Sequence, residues 1–506
     1  MTAIKRLAGQ TAIYGIPSVL GRILGYLLVP LYTAVFKPGA YGTVSVFYAY
    51  TSFLMVVLTY GMETTYFRFN ENEKDKEKVF STAIISLIIT SLLFLGVVLS
   101  FAGDIARWID YADHPEYVRW FAWILAIDSI CAIPFAYLRA KNRPVRFAWV
   151  RMTNISINII LNLFFLVLCP FILRHPHDGF FGRFISLLYK PQWGVEYIFI
   201  SNLAASGITL VMLLPQILAV KWKIKPDLWR KMLFYAFPLL FAGMAGIVNE
   251  TFDRLLLRYL LPKDISTFQV GVYAACYKIS ILMTIFIQAY RYAAEPFFFA
   301  QAKEKDARLV YARIMDYFII VVSLIFLVTM LYLDDFILPL LVRSKEYWVG
   351  RGVIPVLLMA NLFLGVYYNL SIWYKLTAKT TWGAWLSLIG AVITLILNFW
   401  WIPLSSEHLI YGYYGSAWAT FICYGSMMVL SYLIGQKFFP VKYNLIKFAG
   451  YLGLSVFLFV ISSVIKPDLY LFRIGFHTFL LLIFLGIVYL IEKPRFFLSV
   501  KDKLKT

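Results

Sequence analysis

The sequence predicts an all-α polytopic membrane protein with about fourteen transmembrane helices. Three observations carry that expectation. The 506 residues are 61% hydrophobic and only 15% charged, with a mean hydropathy of +0.75, too little polar surface for a soluble chain of this length. Apolar runs of about 20 residues, each able to cross roughly 30 Å of hydrocarbon, recur from end to end. Lysine and arginine collect in alternate connections. Backbone groups in lipid must be satisfied internally, and continuous apolar runs suit helices rather than the alternation of a barrel.

Taken in order, the spans are expected at about 10–36, 40–67, 79–103, 117–138, 145–172 and 194–219, then 231–261, 266–298, 309–333, 353–374, 382–403 and 411–435, and finally 444–465 and 469–491. The opening stretch is too long for a signal peptide and lacks a convincing cleavage site, so it is expected to be the first span. With the N-terminus inside, inner segments hold 29 Lys and Arg and outer segments 11. That bias predicts cytoplasmic termini and an even number of spans. The net charge of +20 is read the same way, as topology rather than a nucleic-acid surface.

Several function classes lose support. There is no GxxxxGK[ST] loop, so no ATPase is expected within the chain. The five His lack ligand spacing, and Cys131, Cys169, Cys276 and Cys423 lie in or at the end of apolar runs. They read as packing residues, with no metal or cofactor expected. No connection is large enough for a soluble catalytic domain. Asp334 and Asp335 read as a helix-end feature.

The chain repeats itself. YGIP at 14–17 matches YAFP at 235–238, and Gly42 with TVSVFYAY matches Gly271 with VYAACYKI. IILNLFF at 159–165 matches LILNFWW at 395–401, and the same offset puts Arg139 and Arg143 on Lys375 and Lys379. Six spans per repeat is even, so the halves share one orientation, about an axis along the membrane normal with a central site between them. The expected organisation is an N-terminal lobe at 1–222 with spans 1–6 and a C-terminal lobe at 223–436 with spans 7–12. Residues 437–506 add spans 13–14 and a cytoplasmic tail.

Span 7 carries charges that a bilayer disfavours. A charge at bilayer depth costs about 2.5–3.5 kcal/mol on insertion scales and normally faces protein or a hydrated cavity. Glu250, Arg254 and Arg258 are four apart and form one stripe, with Asp253 beside it. Glu250 and Arg254 suit an i, i+4 pair. Arg22 lies mid-span in helix 1, Lys278 mid-span in helix 8, and Asp128 inside span 4. Glu63, Arg68, Arg291 and Glu295 sit at the inner ends of spans 2 and 8. One reading is that these charges neutralise each other between helices or reach the interface, as Arg258, Arg68 and Arg291 are placed to do. The other is a net-positive hydrated cavity awaiting an anion, for which the planar fork of Arg suits phosphate. Tyr14, Tyr26, Tyr273, Tyr277, Tyr290 and Tyr292 are candidates to line a sugar path.

DRLLLRYLLPKDISTFQVGVYAACYKISILMTIFIQAYRYAAEPFFF (253–299), with Asp253, Arg254, Gly271, Tyr273 and Pro296, resembles spans 7 and 8 of bacterial polysaccharide exporters of the lipid-linked oligosaccharide (O-antigen) flippase type. LGRILGYLLVPLYTAVFKPGAYGTVSVF (20–47) and YGMETTYFRF (60–69) resemble their first two spans. Residues 375–420, including Asn398, Pro403, Gly415 and Ala417, resemble spans 10–12. The likeness runs in order over essentially the whole chain. It implies membership of the superfamily that also holds the multidrug and toxic compound extrusion transporters and the lipid II flippase. It also implies two six-helix lobes around a V-shaped cavity with alternating access, in the bacterial inner membrane. The implied cargo is an undecaprenyl-diphosphate-type lipid-linked oligosaccharide. Basic cavity residues carry over to Arg22, Arg254 and Arg258, and more loosely to Lys278 and Arg291. Glu63, Asp128, Glu250, Asp253 and Glu295 are left between ion coupling and charge balance. Membrane lipids are expected partners, with polymerase and glycosyltransferase machinery as further candidates, and nucleic acid is not. The alternatives kept are a drug or metabolite exporter of the same architecture, a scaffold for a glycan-synthesis complex, and a membrane glycosyltransferase. The outer loop at 174–193 is left without a role.

Overall fold

A computed structural model of the protein describes residues 23–174, 185, 187, 189–220, 222–302, 304, 306–407 and 411–503. Among these residues the structure is helical and contains no strand. The predicted spans fall on the helices α1 (Leu28–Val35), α2 (Pro38–Asn72), α3 (Lys76–Ser100), α4 (Pro115–Ala140), α5 (Pro144–Arg174), α6 (Glu196–Leu218) and α7 (Pro226–Leu260). They continue with α8 (Lys263–Gln301), α9 (Ala307–Leu331), α10 (Lys345–Leu376), α11 (Thr381–Glu407), α12 (Gly412–Phe438), α13 (Leu445–Val464) and α14 (Tyr470–Lys503). Among the described residues, 13 helices are long and apolar enough to cross a membrane. The first predicted span shows only a shorter apolar helix, Ile23–Val35, because residues 10–22 of it lie outside the described residues. So do Tyr14, the first YGIP motif and Arg22.

Local chemistry explains the starts. Pro38, Pro115, Pro144 and Pro226 open α2, α4, α5 and α7, where the missing N–H costs nothing and φ is already helical. Pro134, Pro215 and Pro238 lie inside α4, α6 and α7, and neighbouring helices can re-satisfy the freed carbonyls. α2 kinks midway, where Tyr60 (φ 34°) and Gly61 (φ 72°) are both left-handed. A Cβ at Gly61 would lie 2.7 Å from Cβ of Leu239, so glycine supplies both the backbone angle and the room for α7. One π turn, Phe164–Leu168, interrupts α5, and another, Leu333–Ile337, follows α9.

The chain forms two compact units. The first comprises Met1–Ala274 and Gly390–Ser416. Its core includes Met62, Tyr66, Ile84, Ile133 and Met232, and an aromatic group in which Phe47 stacks on Phe121 at 5.0 Å and Phe121 meets Phe199 edge-on at 4.8 Å. α7 belongs to this unit and runs antiparallel along α2. Phe252 meets Phe53 at 5.8 Å, Gly243 faces Val56, and Tyr235 lies under Arg68 at 4.2 Å.

The second unit comprises Ala275–Ile389 and Ala417–Thr506. Here α9 packs on α13, and Leu327, Leu331, Leu458, Leu480 and Phe484 join α9, α13 and α14. Polar ties also hold α14. Arg473 donates Nε to Asp335 at 2.8 Å, and Asp335 is 1% exposed on the π turn after α9. Glu492 accepts from Lys447 and from the Tyr451 hydroxyl of α13. Asp335 thus closes a helix end, as the sequence reading has it, and also anchors the last helix through a partner far along the chain.

Candidate functional site

The site grows from the last three turns of α7. Spacing by four puts Arg254 and Arg258 on one stripe, and the fold buries Arg258 and most of the Arg254 side chain. Arg254 pairs with Asp253, Nη1 to Oδ1 at 2.9 Å. Asp253 is 4% exposed and its other oxygen accepts the Tyr273 hydroxyl of α8 at 2.7 Å. The sequence reading paired Arg254 with the Glu250 carboxylate. In the structure Arg254 donates to the Glu250 carbonyl at 2.8 Å instead, and the Glu250 side chain is exposed. Asp253 takes the role because its side chain turns inward, to where Tyr273 supplies a donor.

Arg258 is different. It is 6% exposed, donates from Nη1 to the Ser266 hydroxyl at 2.6 Å, and lies over the Tyr111 ring at 5.4 Å. Its Nε is buried without an acceptor, and among the described residues no carboxylate pairs with it. Burial pushes the Tyr111 hydroxyl above its ordinary range, so at neutral pH it meets Arg258 as a neutral phenol. A buried guanidinium N–H without an acceptor has the chemistry to donate to an anion.

Around this pair the α7–α8 turn is clasped to the first half of the chain. Lys263 pairs with Asp110 at 2.5 Å, and the Tyr259 and Tyr50 hydroxyls are hydrogen-bonded. Below them α2 and α8 cross backbone on backbone. A Cβ on Gly42 would run into the Thr267 carbonyl, and one on Gly271 would run into the Pro38 carbonyl. Gly42 and Gly271 are repeat mates at an offset of 229, and so are Pro38 and Thr267. The contact is therefore reciprocal, each repeat offering the same carbonyl to the other's glycine.

The remaining predicted residues are placed as follows. Lys278 is half-buried midway along α8. Asp128, on α4, faces Ser206 and Arg151 in an interior that also holds Tyr48 with Asn202 at 3.2 Å and Asn154 with Thr209 at 2.9 Å. Glu63 pairs with Arg139, and Arg139 also stacks on Phe67 at 4.9 Å. Glu295 pairs with Lys375 at 2.7 Å rather than with Arg291, which lies over Tyr368 at 4.0 Å. Arg139 and Lys375 were aligned by the repeat, so the same α2–α4 and α8–α10 ion pair occurs once in each half. Tyr26, Tyr273 and Tyr277 are buried rather than lining open space.

Sequence reasoning missed Asp110, Tyr111, Lys263 and Ser266 as partners of the stripe. Asp110 and Tyr111 sit in a connection with no periodicity to mark them, and Lys263 was counted only as a topological charge.

The all-helical architecture, with 13 helices long and apolar enough to cross a membrane among the described residues, defines a multi-pass membrane protein. The model for the family described as polysaccharide biosynthesis protein matches residues 7–301, more than half of the chain, and the protein belongs to that family. No curated protein sequence matches it. Among solved structures, it is similar to the lipid II flippase MurJ in an inward closed conformation, at 16% identity and a TM-score of 0.65, covering 94% of this chain and 98% of that one. It is similar to a multidrug resistance MATE family transporter of the MOP superfamily in an inward-facing conformation, at 13% identity, TM-score 0.61, and 82% and 93% coverage. A MOP superfamily transporter from Pyrococcus furiosus, whose binding pocket is described as reversed in polarity, matches at 14% identity, TM-score 0.57, and 86% and 98% coverage. At these identities the likeness is one of fold.

Proposed function

We propose that this protein is a flippase that moves a polyprenyl-diphosphate-linked oligosaccharide across the bacterial cytoplasmic membrane for surface polysaccharide synthesis, with no chemical step. The observation that carries the reading is Arg258, a buried cation without a carboxylate partner among the described residues, beside Arg254. Membership of the polysaccharide biosynthesis protein family supports a glycan-bearing cargo. The lobes at 1–222 and 223–436 rock about the shared axis. The diphosphate enters from the inner leaflet, meets the basic residues Arg22, Lys278 and Arg291, and passes to Arg254 and Arg258 near the outer side. The prenyl tail stays in lipid along α13 and α14. Both termini are cytoplasmic, and polymerase or glycosyltransferase machinery receives or supplies the cargo. Glu63, Asp128, Glu250, Asp253 and Glu295 trim the charge or couple a cation.

An exporter of small molecules is the second reading, favoured by the likeness to the MATE fold. Arg258 weighs against a cationic cargo, because like charge in a low-dielectric site is costly. The deciding experiment depletes the protein in its host and follows labelled lipid-linked oligosaccharide with an inner-leaflet probe. Accumulation on the cytoplasmic side, reversed by wild type and not by Arg254→Ala, is the expected result. Unchanged intermediates would overturn the proposal in favour of small-molecule export.

A further inference from the structure

In the second unit, the last turns of α8 keep a cation without an acid. Arg291 is half-buried there. Helical spacing puts Glu295 one turn on, close enough to neutralise it, but Glu295 pairs with Lys375 of α10 at 2.7 Å. Among the described residues Arg291 has no carboxylate and no hydrogen-bond acceptor, and its guanidinium lies over the Tyr368 ring at 4.0 Å. It borders a cavity of about 20 Å³ between α8 and α10. The polar wall is Tyr290, Arg291 and Glu295 of α8 with Asn369, Ser371 and Lys375 of α10, and the rest is apolar or aromatic. The Asn369 amide donates to the Tyr290 hydroxyl at 2.7 Å, so the phenol keeps its own proton to donate. Ser371 spends its proton on the Tyr368 carbonyl at 2.6 Å. Lys375 gives Glu295 one of the three N–H groups of an ammonium.

Two cations, one acid and a phenol donor therefore face this space, which makes its wall net positive and rich in N–H and O–H groups. Its depth follows from the end of α10. That helix stops at Leu376, one residue past Lys375, and the charge bias is expected to put the α10–α11 turn on the cytoplasmic side. The cavity then lies at the level of the inner head groups, where the anions are lipid phosphates. A water needs roughly 10–15 Å³ of such space, so the cavity takes a single oxygen rather than a whole anion. We propose that it takes one oxygen of a membrane-lipid phosphate. The Arg291 fork and the Tyr290 hydroxyl hold that oxygen, and Lys375 balances the remaining charge. Two kinds of lipid carry this chemistry, a phospholipid and the prenyl diphosphate of the proposed cargo.

This deepens the transport reading at Arg291, and only its prenyl diphosphate arm rests on that reading. The full-length protein in detergent is mixed in turn with phosphatidylglycerol, with farnesyl diphosphate, and with diacylglycerol and farnesol, which lack the phosphate. Retained lipid is read by native mass spectrometry. Arg291→Gln should cut retention of a phosphate-bearing probe roughly tenfold, about the worth of one charge-assisted hydrogen bond, and leave the phosphate-free probes unchanged. A loss for phosphatidylglycerol assigns the site to phospholipid, and a loss for farnesyl diphosphate alone assigns it to the cargo. Tyr290→Phe should lower retention about threefold. Glu295→Gln, which frees Lys375, should raise it in a protein that elutes and melts like wild type, a gain that a misfolded variant would not show. Unchanged retention of both phosphate probes in Arg291→Gln, or equal losses for the phosphate-free ones, would overturn the proposal and leave a cavity that holds only water. Either result leaves the glycan-transport test standing, because that test is read through Arg254.

Discussion

At the scale of single residues, the two arginines of α7 look alike in sequence and differ in the fold. Arg254 has a buried acid, Asp253, and removing one member of a buried pair leaves an uncompensated charge. Asp253→Asn is therefore expected to destabilise the protein by about 3 kcal/mol, measured by denaturation in detergent. Arg258 leaves no acid behind among the described residues. Arg258→Ala should cost only about 1 kcal/mol, the worth of its bond to Ser266, yet reduce lipid-linked oligosaccharide transport roughly tenfold or more. A stability loss as large as that of Asp253→Asn would mean that Arg258 is structural. The stripe itself was legible, because helical spacing alone puts residues four apart on one face. Its partners were not. Asp253 had to be told from Glu250 by a tyrosine twenty residues on, and Tyr111 comes from a distant connection.

At the scale of elements, two joints matter most. The α2–α8 crossing relies on Gly42 and Gly271, whose missing Cβ atoms let each backbone meet the other's carbonyl. Gly271→Ala should force the helices apart at about 1–3 kcal/mol, as overpacking does, and impair transport. Normal stability and transport in this variant would show that the crossing is looser than described. The motif matches at 42 and 271 were visible in the sequence, but that the two glycines touch each other was not. The second joint ties α14 to the end of α9. Arg473→Ala should cost about 3 kcal/mol because buried Asp335 would keep only the His477 ring, Nδ1 3.4 Å from Oδ2. The double variant Arg473→Ala with Asp335→Ala should cost clearly less, which a double-mutant cycle in denaturant would read. The sequence placed Asp335 at a helix end correctly and left its partner open, since 138 residues separate the two.

At the scale of the whole molecule, the charge bias makes a topological prediction. Alkaline phosphatase fused after residue 506 should be inactive, and fused within 334–352 it should be active, if the termini face the cytoplasm. The opposite pattern would invert every inner and outer assignment, including the side on which Arg258 is proposed to meet its cargo. The repeat belongs to this scale too. Its ion pairs recur as Glu63 with Arg139 and as Glu295 with Lys375, although only the basic partners had been aligned beforehand.

The sequence by itself determined that this is an all-helical membrane protein and roughly where its helices run. Those properties follow from the length and periodicity of apolar runs and from the hydration cost of charge, which act locally along the chain. The likeness to polysaccharide exporters rested instead on ordered motifs, a resemblance rather than a physical derivation. Only the tertiary structure decided which charges are neutralised and which are not. Pairing at Asp253, Arg139, Lys375 and Asp335 depends on where helices from distant parts of the chain cross, and a side chain's partner is set by the few ångströms of that crossing rather than by its neighbours in sequence.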